Sequence, residues 1–137
     1  MRDVNTIVIH CSATPEDMDI GVKEIRRWHL SRGFSDIGYH YVVRRNGSLE
    51  DGRHEAIPGA HAKGYNSDSI GVCIVGGLDD DGNADANFSM RQYISLSCII
   101  NELLVKYPTA QVLGHRDLPG VSKACPCFNA PLWVKGK

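Results

Sequence analysis

The sequence predicts an α/β fold, and three observations carry the prediction. Two short apolar runs rich in β-branched residues, at 4–10 and 70–75, read as buried strands. Asn46-Gly47 lies between two further strand-like runs, the strongest short-range signal for a β-hairpin. An amphipathic helix follows, and a last short strand comes after it, so helical and extended segments alternate along the chain.

Taken in order, the first strand places His10 at its C-terminal end, with Cys11 on the opposite face because strand side chains alternate. Ser12 to Pro15 then turn the chain away. Residues 21–32 are helical: Val22, Ile25 and either Trp28 or His29 keep the i, i+3, i+4 spacing, and Gly33 supplies the stop. His29 is assigned to the packed face. The hairpin joins 39–43 to 48–51, and its register decides whether Tyr39 or His40 faces a site. Residues 53–69 form a long polar loop, of the kind that in compact domains usually carries function. The run Asp79-Asp80-Asp81-Gly82-Asn83 lacks the closing glutamate of a calcium loop and reads as a solvated turn.

The long helix is announced by Ser89 as N-cap, Gln92 completing a capping box, and Phe88 stapled against Tyr93. Its apolar stripe comprises Tyr93, Leu96, Ile100, Leu103, Leu104 and Tyr107, and Pro108 ends it. Residues 110–113 form the final strand and deliver His115 just past its end. No helix is assigned beyond it.

Composition bounds what such a chain does. Its 137 residues make one domain with a proper core, and a formal net charge of −1 with a pI of about 6.6 argues against a broad nucleic-acid-binding face. No apolar run reaches the roughly 18 residues a membrane span needs. The first residues hold no apolar signal core, so synthesis in the cytoplasm without a signal peptide is expected. Five cysteines, an odd number, cannot all pair within one chain and fit a reducing compartment. Cys73 and Cys98 read as small buried hydrophobes.

Chemistry concentrates in residues 114–127, which hold His115, Lys123, Cys125 and Cys127 among the turn formers Pro119, Gly120 and Pro126. Imidazole and thiolate suit zinc, and a catalytic zinc takes three protein ligands with one position open. His115, one of the two cysteines and the distant His10 could supply them. Lys123, two residues from Cys125, suits stabilisation of an oxyanion, and Tyr39 is the candidate partner for an attacking water. Core histidines with free thiols, or a closed zinc site using both Cys125 and Cys127, compete with this reading at the level of residue types. So does a cysteine nucleophile at Cys11 or Cys127.

Five segments occur together and in order: 9–14 (Ile-His-Cys-Ser-Ala-Thr), 38–41 (Gly-Tyr-His-Tyr), 61–66 (His-Ala-Lys-Gly-Tyr-Asn), 69–73 (Ser-Ile-Gly-Val-Cys) and 123–126 (Lys-Ala-Cys-Pro). In these the chain resembles the zinc-dependent N-acetylmuramoyl-L-alanine amidases of the phage lysozyme type, which are similar to the peptidoglycan recognition proteins. The resemblance covers nearly the whole chain. It implies a mixed central β-sheet flanked by helices, with a zinc cleft on one face and residues 1–137 as a single zinc amidase domain. It implies one Zn²⁺ per chain on His10, His115 and Cys125, with Tyr39 and Lys123 catalytic. His61, Lys63 and Asn66 would lie along the cleft as substrate-binding residues, and His40 or Asp117 could orient a ligand imidazole. Cys127 stands where a small polar residue is expected, which opens a ligand swap or redox sensitivity. The implied partner is the peptidoglycan stem, with neither nucleic acid nor membrane. The chain would be a monomer acting on the bacterial wall after release by other means, as a phage or prophage lysis enzyme.

Overall fold

The computed structural model describes residues 2–136. Strand β1 (Thr6–Cys11) runs parallel to β5 (Ser69–Ile74) on one side and to β7 (Gln111–Gly114) on the other. Strand β3 (Tyr41–Val43) lies parallel to the far side of β5 and pairs antiparallel with β4 (Leu49–Asp51). The five-stranded sheet, in the order β4-β3-β5-β1-β7, is therefore mixed, as expected. A parallel pair, β2 (Thr14–Pro15) with β6 (Gly77–Leu78), forms a second small sheet. Two-residue strands carry no periodicity, and the sequence offers no signal for this pair.

Strand alternation sorts the sheet into two faces. Ile7, Ile9 and Cys11 of β1, with Ile70, Val72 and Ile74 of β5, join a core that includes Leu96, Ile99, Ile100 and Leu103 of helix α2 (Met90–Lys106). Ile99 extends the expected stripe, while Tyr93 and Leu104 pack at its edge; Cys98, expected to be buried, lies on the exposed side of the helix, whereas Cys73 is buried. On the other face Cys73 and Val75 meet Val22 and Ile25 of α1 (Val22–Ser31), and Val8 meets Ala62 and Leu118.

Caps and turns follow the local chemistry. Ser89 Oγ accepts the Gln92 amide and Gln92 reaches back to the Ser89 N–H, closing the capping box. The Gln92 side chain is fully buried, and its amide donates to the Val75 carbonyl at 2.8 Å while accepting from Arg45. In the hairpin Gly47 N–H bonds the Arg44 carbonyl, and Gly47 has φ +89°, which favours glycine. Asp79 Oδ1 accepts the N–H groups of Asp81 and Asn83, so the acidic run is a turn closed on itself. His29 is the packed choice on α1, accepting the Gly38 N–H at 2.8 Å, whereas Trp28 stays 41% exposed.

The C-terminal segment is helical where no helix was assigned. Helix α3 (Ala130–Lys135) is capped by Asn129, whose side chain accepts the Leu132 N–H. Six residues are too few for a periodic signal, and tertiary packing holds the element: Phe128 and Trp133 stack edge-on at 6.0 Å beside Phe88 and Tyr93. No helix among the described residues is long and apolar enough to cross a membrane.

His40, 1% exposed, is held neutral. Its Nδ1 accepts the Gly71 N–H at 3.0 Å, so the ring proton sits on Nε2, facing the Ile57 carbonyl at 2.8 Å. The nearby Arg2 guanidinium is then a neighbouring charge rather than a donor to the ring. Burial first, and Arg2 with it, lowers the pKa from 6.5 to about 4. Between those values the unfolded chain binds a proton that the folded chain refuses. The stability from neutral His40, about 3 kcal/mol, is thus complete above pH 6.5 and lost as pH falls towards 4. Urea unfolding at steps from pH 7 to 4 should show this decline, and a shallower one in His40→Gln; identical slopes would remove His40 from the account.

Candidate active site

Three side chains from distant parts of the chain meet at one end of β1. His10 is the fifth residue of β1 and lies on the face opposite Cys11, 2% exposed. His115 follows β7 directly and opens a 3-10 turn, His115–Asp117, whose start is tied by Asp117 accepting the Gly114 N–H at 2.8 Å. Cys125 sits in the loop beyond. That loop is held to the turn by the Arg116 N–H on the Cys125 carbonyl, 2.8 Å, and to β1 by the Cys11 N–H on Cys125 Sγ, 3.0 Å. One donor atom from each of His10, His115 and Cys125 lies within 4.8 Å of the others, the only such group of three among the described residues.

These donors open into a cleft of about 610 Å³. All eight sequence-predicted site residues line it: His10, Tyr39, His61, Lys63, Asn66, His115, Lys123 and Cys125. Their situations differ. The Tyr39 ring lies 5.1 Å from that of His10. Lys123 and Lys63 are exposed, and the charge of Lys123 acts on both ligand-type imidazoles. Asn66 Oδ1 is occupied inside its own loop, accepting the N–H groups of His61 and Ala62 at 2.9 Å. The His61 ring turns inward, with Nδ1 2.8 Å from His10 Nε2 and Nε2 3.1 Å from Ser69 Oγ.

The second-layer expectations need correction. His40 bonds Gly71 and Ile57, and Asp117 accepts from the Gly114 backbone amide; it is His61 that contacts a ligand-type imidazole. Sequence spacing could not reveal this, because His61 reaches His10 across the sheet from a 17-residue loop. Cys127 faces away from the donor group: its thiol lies 3.4 Å from the Gly77 carbonyl and 4.0 Å from Cys11 Sγ. Trp28, Arg32 and Phe34 also line the cleft and were not singled out by the sequence. The ambiguity between Trp28 and His29 on α1 was their one trace.

The electrostatics suit metal binding. Burial, followed by the charges of His61, His115 and Lys123, drives the His10 pKa well below 6.5, leaving a neutral ring with a lone pair to give. Burial and Lys123 lower His115 in the same direction. Burial, then the surrounding thiols of Cys73, Cys125 and Cys11, pushes Tyr39 well above the usual phenol value, so it remains an uncharged hydrogen-bonding group. The Cys11 thiol is raised through its contact with Cys125 and by burial, and burial raises Cys127 to about 11. Neither thiol is disposed to act as a nucleophile at neutral pH.

Two imidazoles and a thiol converging at the mouth of a cleft are a donor set that could hold a metal ion. The chain belongs to the N-acetylmuramoyl-L-alanine amidase family, which matches residues 1–128. It is 46% identical to an endolysin of Enterobacteria phage K11, over 98% of this chain and 87% of that protein, and 47% identical to an endolysin of Escherichia phage T7, over 96% and 86%. The amidase LysC from Clostridium intestinale URNW superposes with a TM-score of 0.81 at 28% identity, covering 98% of this chain and 85% of that one. Drosophila PGRP-LB shares the fold with a TM-score of 0.77 at 23% identity, over 98% and 80%. The sequence resemblance and the predicted fold class are both borne out.

Gly71 makes room for this arrangement. A Cβ there would stand 2.5 Å from Cγ of His61, so any side chain displaces the ring. Gly71→Ala should cost about 1–3 kcal/mol, read as a lowered melting temperature; an unchanged melting curve would show that the ring shifts freely.

Proposed function

We propose that the chain is a zinc-dependent amidase cleaving the bond between the lactyl group of N-acetylmuramic acid and the L-alanine of the peptidoglycan stem. The observation that carries the metal reading is the convergence of His10, His115 and Cys125 within 4.8 Å at the cleft. Two neutral imidazoles and one thiolate are a set zinc prefers, with a fourth position left for chemistry. The Cys11 N–H directed at Cys125 Sγ ties that sulfur to the end of β1, beside His10. Zinc held there would polarise the scissile carbonyl and acidify the attacking water.

The remaining work falls to side chains of this chain. Lys123 stands at the cleft wall as a fixed positive charge for the oxyanion that develops as the amide carbon becomes tetrahedral. Tyr39, kept protonated, orients the water through its hydroxyl rather than removing the proton as a base. Arg32, Lys63 and Lys123 are basic cleft residues, and no carboxylate among the described residues lines the cleft, although the chain as a whole carries a formal charge of −1. Such a wall attracts an anionic stem peptide. The similar phage endolysins support a lysis role; in this reading residues 1–137 act as one monomeric domain, made in the cytoplasm and released to the wall by other means.

Mass spectrometry of purified peptidoglycan after digestion should reveal intact stem peptides with free N-terminal alanine, and a zinc chelator should abolish them. New reducing sugar ends would point to a glycosidase instead. Cys125→Ser should abolish activity and weaken zinc binding, while Cys127→Ser spares both; equal damage would overturn the ligand choice. Lys123→Ala should keep zinc and lose about 10²–10³ in turnover, and full activity in that variant would remove Lys123 from the mechanism.

A further inference from the structure

Both ring nitrogens of His61 are engaged. Nδ1 lies 2.8 Å from His10 Nε2, with the two rings edge-on at 90°, and Nε2 lies 3.1 Å from Ser69 Oγ. Three groups joined in this way have two self-consistent polarities. In one, His10 carries its proton on Nε2 and donates to His61 Nδ1, and His61 donates from Nε2 to the Ser69 oxygen. In the other, Ser69 donates to His61 Nε2, His61 donates from Nδ1 to His10, and the His10 proton sits on Nδ1. A ligand imidazole needs a lone pair on the ring nitrogen that faces the metal. Since Nε2 of His10 is taken by the hydrogen bond, the metal must use Nδ1, and only the first polarity leaves a lone pair there.

We propose that His61 is a positioning residue that holds His10 in its Nε2-protonated tautomer and thereby sets the metal affinity of the site, instead of binding substrate through its ring. The inference rests on the metal-centre reading of His10, His115 and Cys125. The surroundings of His61 serve that role. Its backbone N–H is anchored on Asn66 Oδ1 at 2.9 Å, and the bare Cα of Gly71 lies against its ring. Ser69, fully buried in β5, ends the chain of hydrogen bonds with a hydroxyl that can accept from His61 Nε2. The loop motif 61–66 then has a use before any substrate arrives: it orders a ligand.

Zinc affinity, measured by competition with a chromophoric chelator, separates this role from a substrate contact. His61→Ala should weaken zinc binding about 10- to 100-fold. His61→Asn sets an amide oxygen near the place of Nδ1 and should recover most of the loss. Ser69→Ala, which leaves the ring in place, should weaken binding by less than about tenfold. At saturating zinc, KM for a muropeptide should stay within about twofold of the parent in all three. Unchanged zinc affinity in His61→Ala would overturn the proposal, as would an Asn variant no better than Ala, or a raised KM with zinc affinity intact. If the Ala variant does not fold, His61→Leu, which fills the space but accepts no hydrogen bond, takes its place by the same criteria. Failure of the parent chain to bind zinc at all would instead overturn the metal centre, and His61 with it.

Discussion

Contact between Cys11 and Cys125 joins the two ends of the site: the Cys11 amide donates to Cys125 Sγ across 114 residues of sequence. Cys11 is the last residue of β1, where strand pairing ends, so its amide is free to serve the loop that carries Cys125. That loop has no regular structure of its own at this point. It is held by the Arg116–Cys125 backbone bond on one side and, beyond Cys127, by the aromatic cluster of Phe88, Tyr93, Phe128 and Trp133. The C-terminal helix therefore matters to the cleft although it contributes nothing to the lining. Its packing on α2 determines where the chain returns to the end of β1.

The central sheet supplies the second constraint. Alternation along β1 sends Ile7, Ile9 and Cys11 into the α2 core and leaves Thr6, Val8 and His10 on the cleft side. The same alternation in β5 puts Ser69, Gly71 and Cys73 beside them. Two of the three meet His61 and the third meets Tyr39: Ser69 bonds the His61 ring, Gly71 accommodates it, and Cys73 lies near the Tyr39 hydroxyl. A one-residue slip between β1 and β5 would exchange these with large apolar side chains, and the site would be lost with the core. Stability and chemistry thus share one register, Thr6 on Ser69 through Cys11 on Ile74.

Buried histidines carry much of the polar organisation, and each is neutral for a geometric reason. His29 accepts the Gly38 amide and His40 accepts the Gly71 amide, so a second proton on either would face an N–H group. His10 and His61 share one hydrogen bond, which leaves room for a single proton between them. Burial depresses all four, His29 and His40 to about 4 and His61 to about 3. The basic side chains Arg32, Lys63 and Lys123, by contrast, stand exposed at the cleft wall.

The sequence by itself determined the elements whose signals are local. The β-branched run of β1, the Asn46-Gly47 turn, the Ser89–Gln92 box and the stripe of α2 each follow from neighbours within a few residues, and each stands where its pattern places it. The motifs at 9–14, 61–66 and 123–126 also identified the family, because residue types in fixed order survive where geometry is invisible. Tertiary structure alone decided the rest. Helix α3 and the β2–β6 pair are too short to have a period and form only against neighbours. The separation of Cys125 from Cys127, two residues apart in the chain, came from a bend that turns one thiol to the Cys11 amide and the other to Gly77. The role of His61 was equally hidden, since a hydrogen bond between rings 51 residues apart depends on the sheet that brings them together.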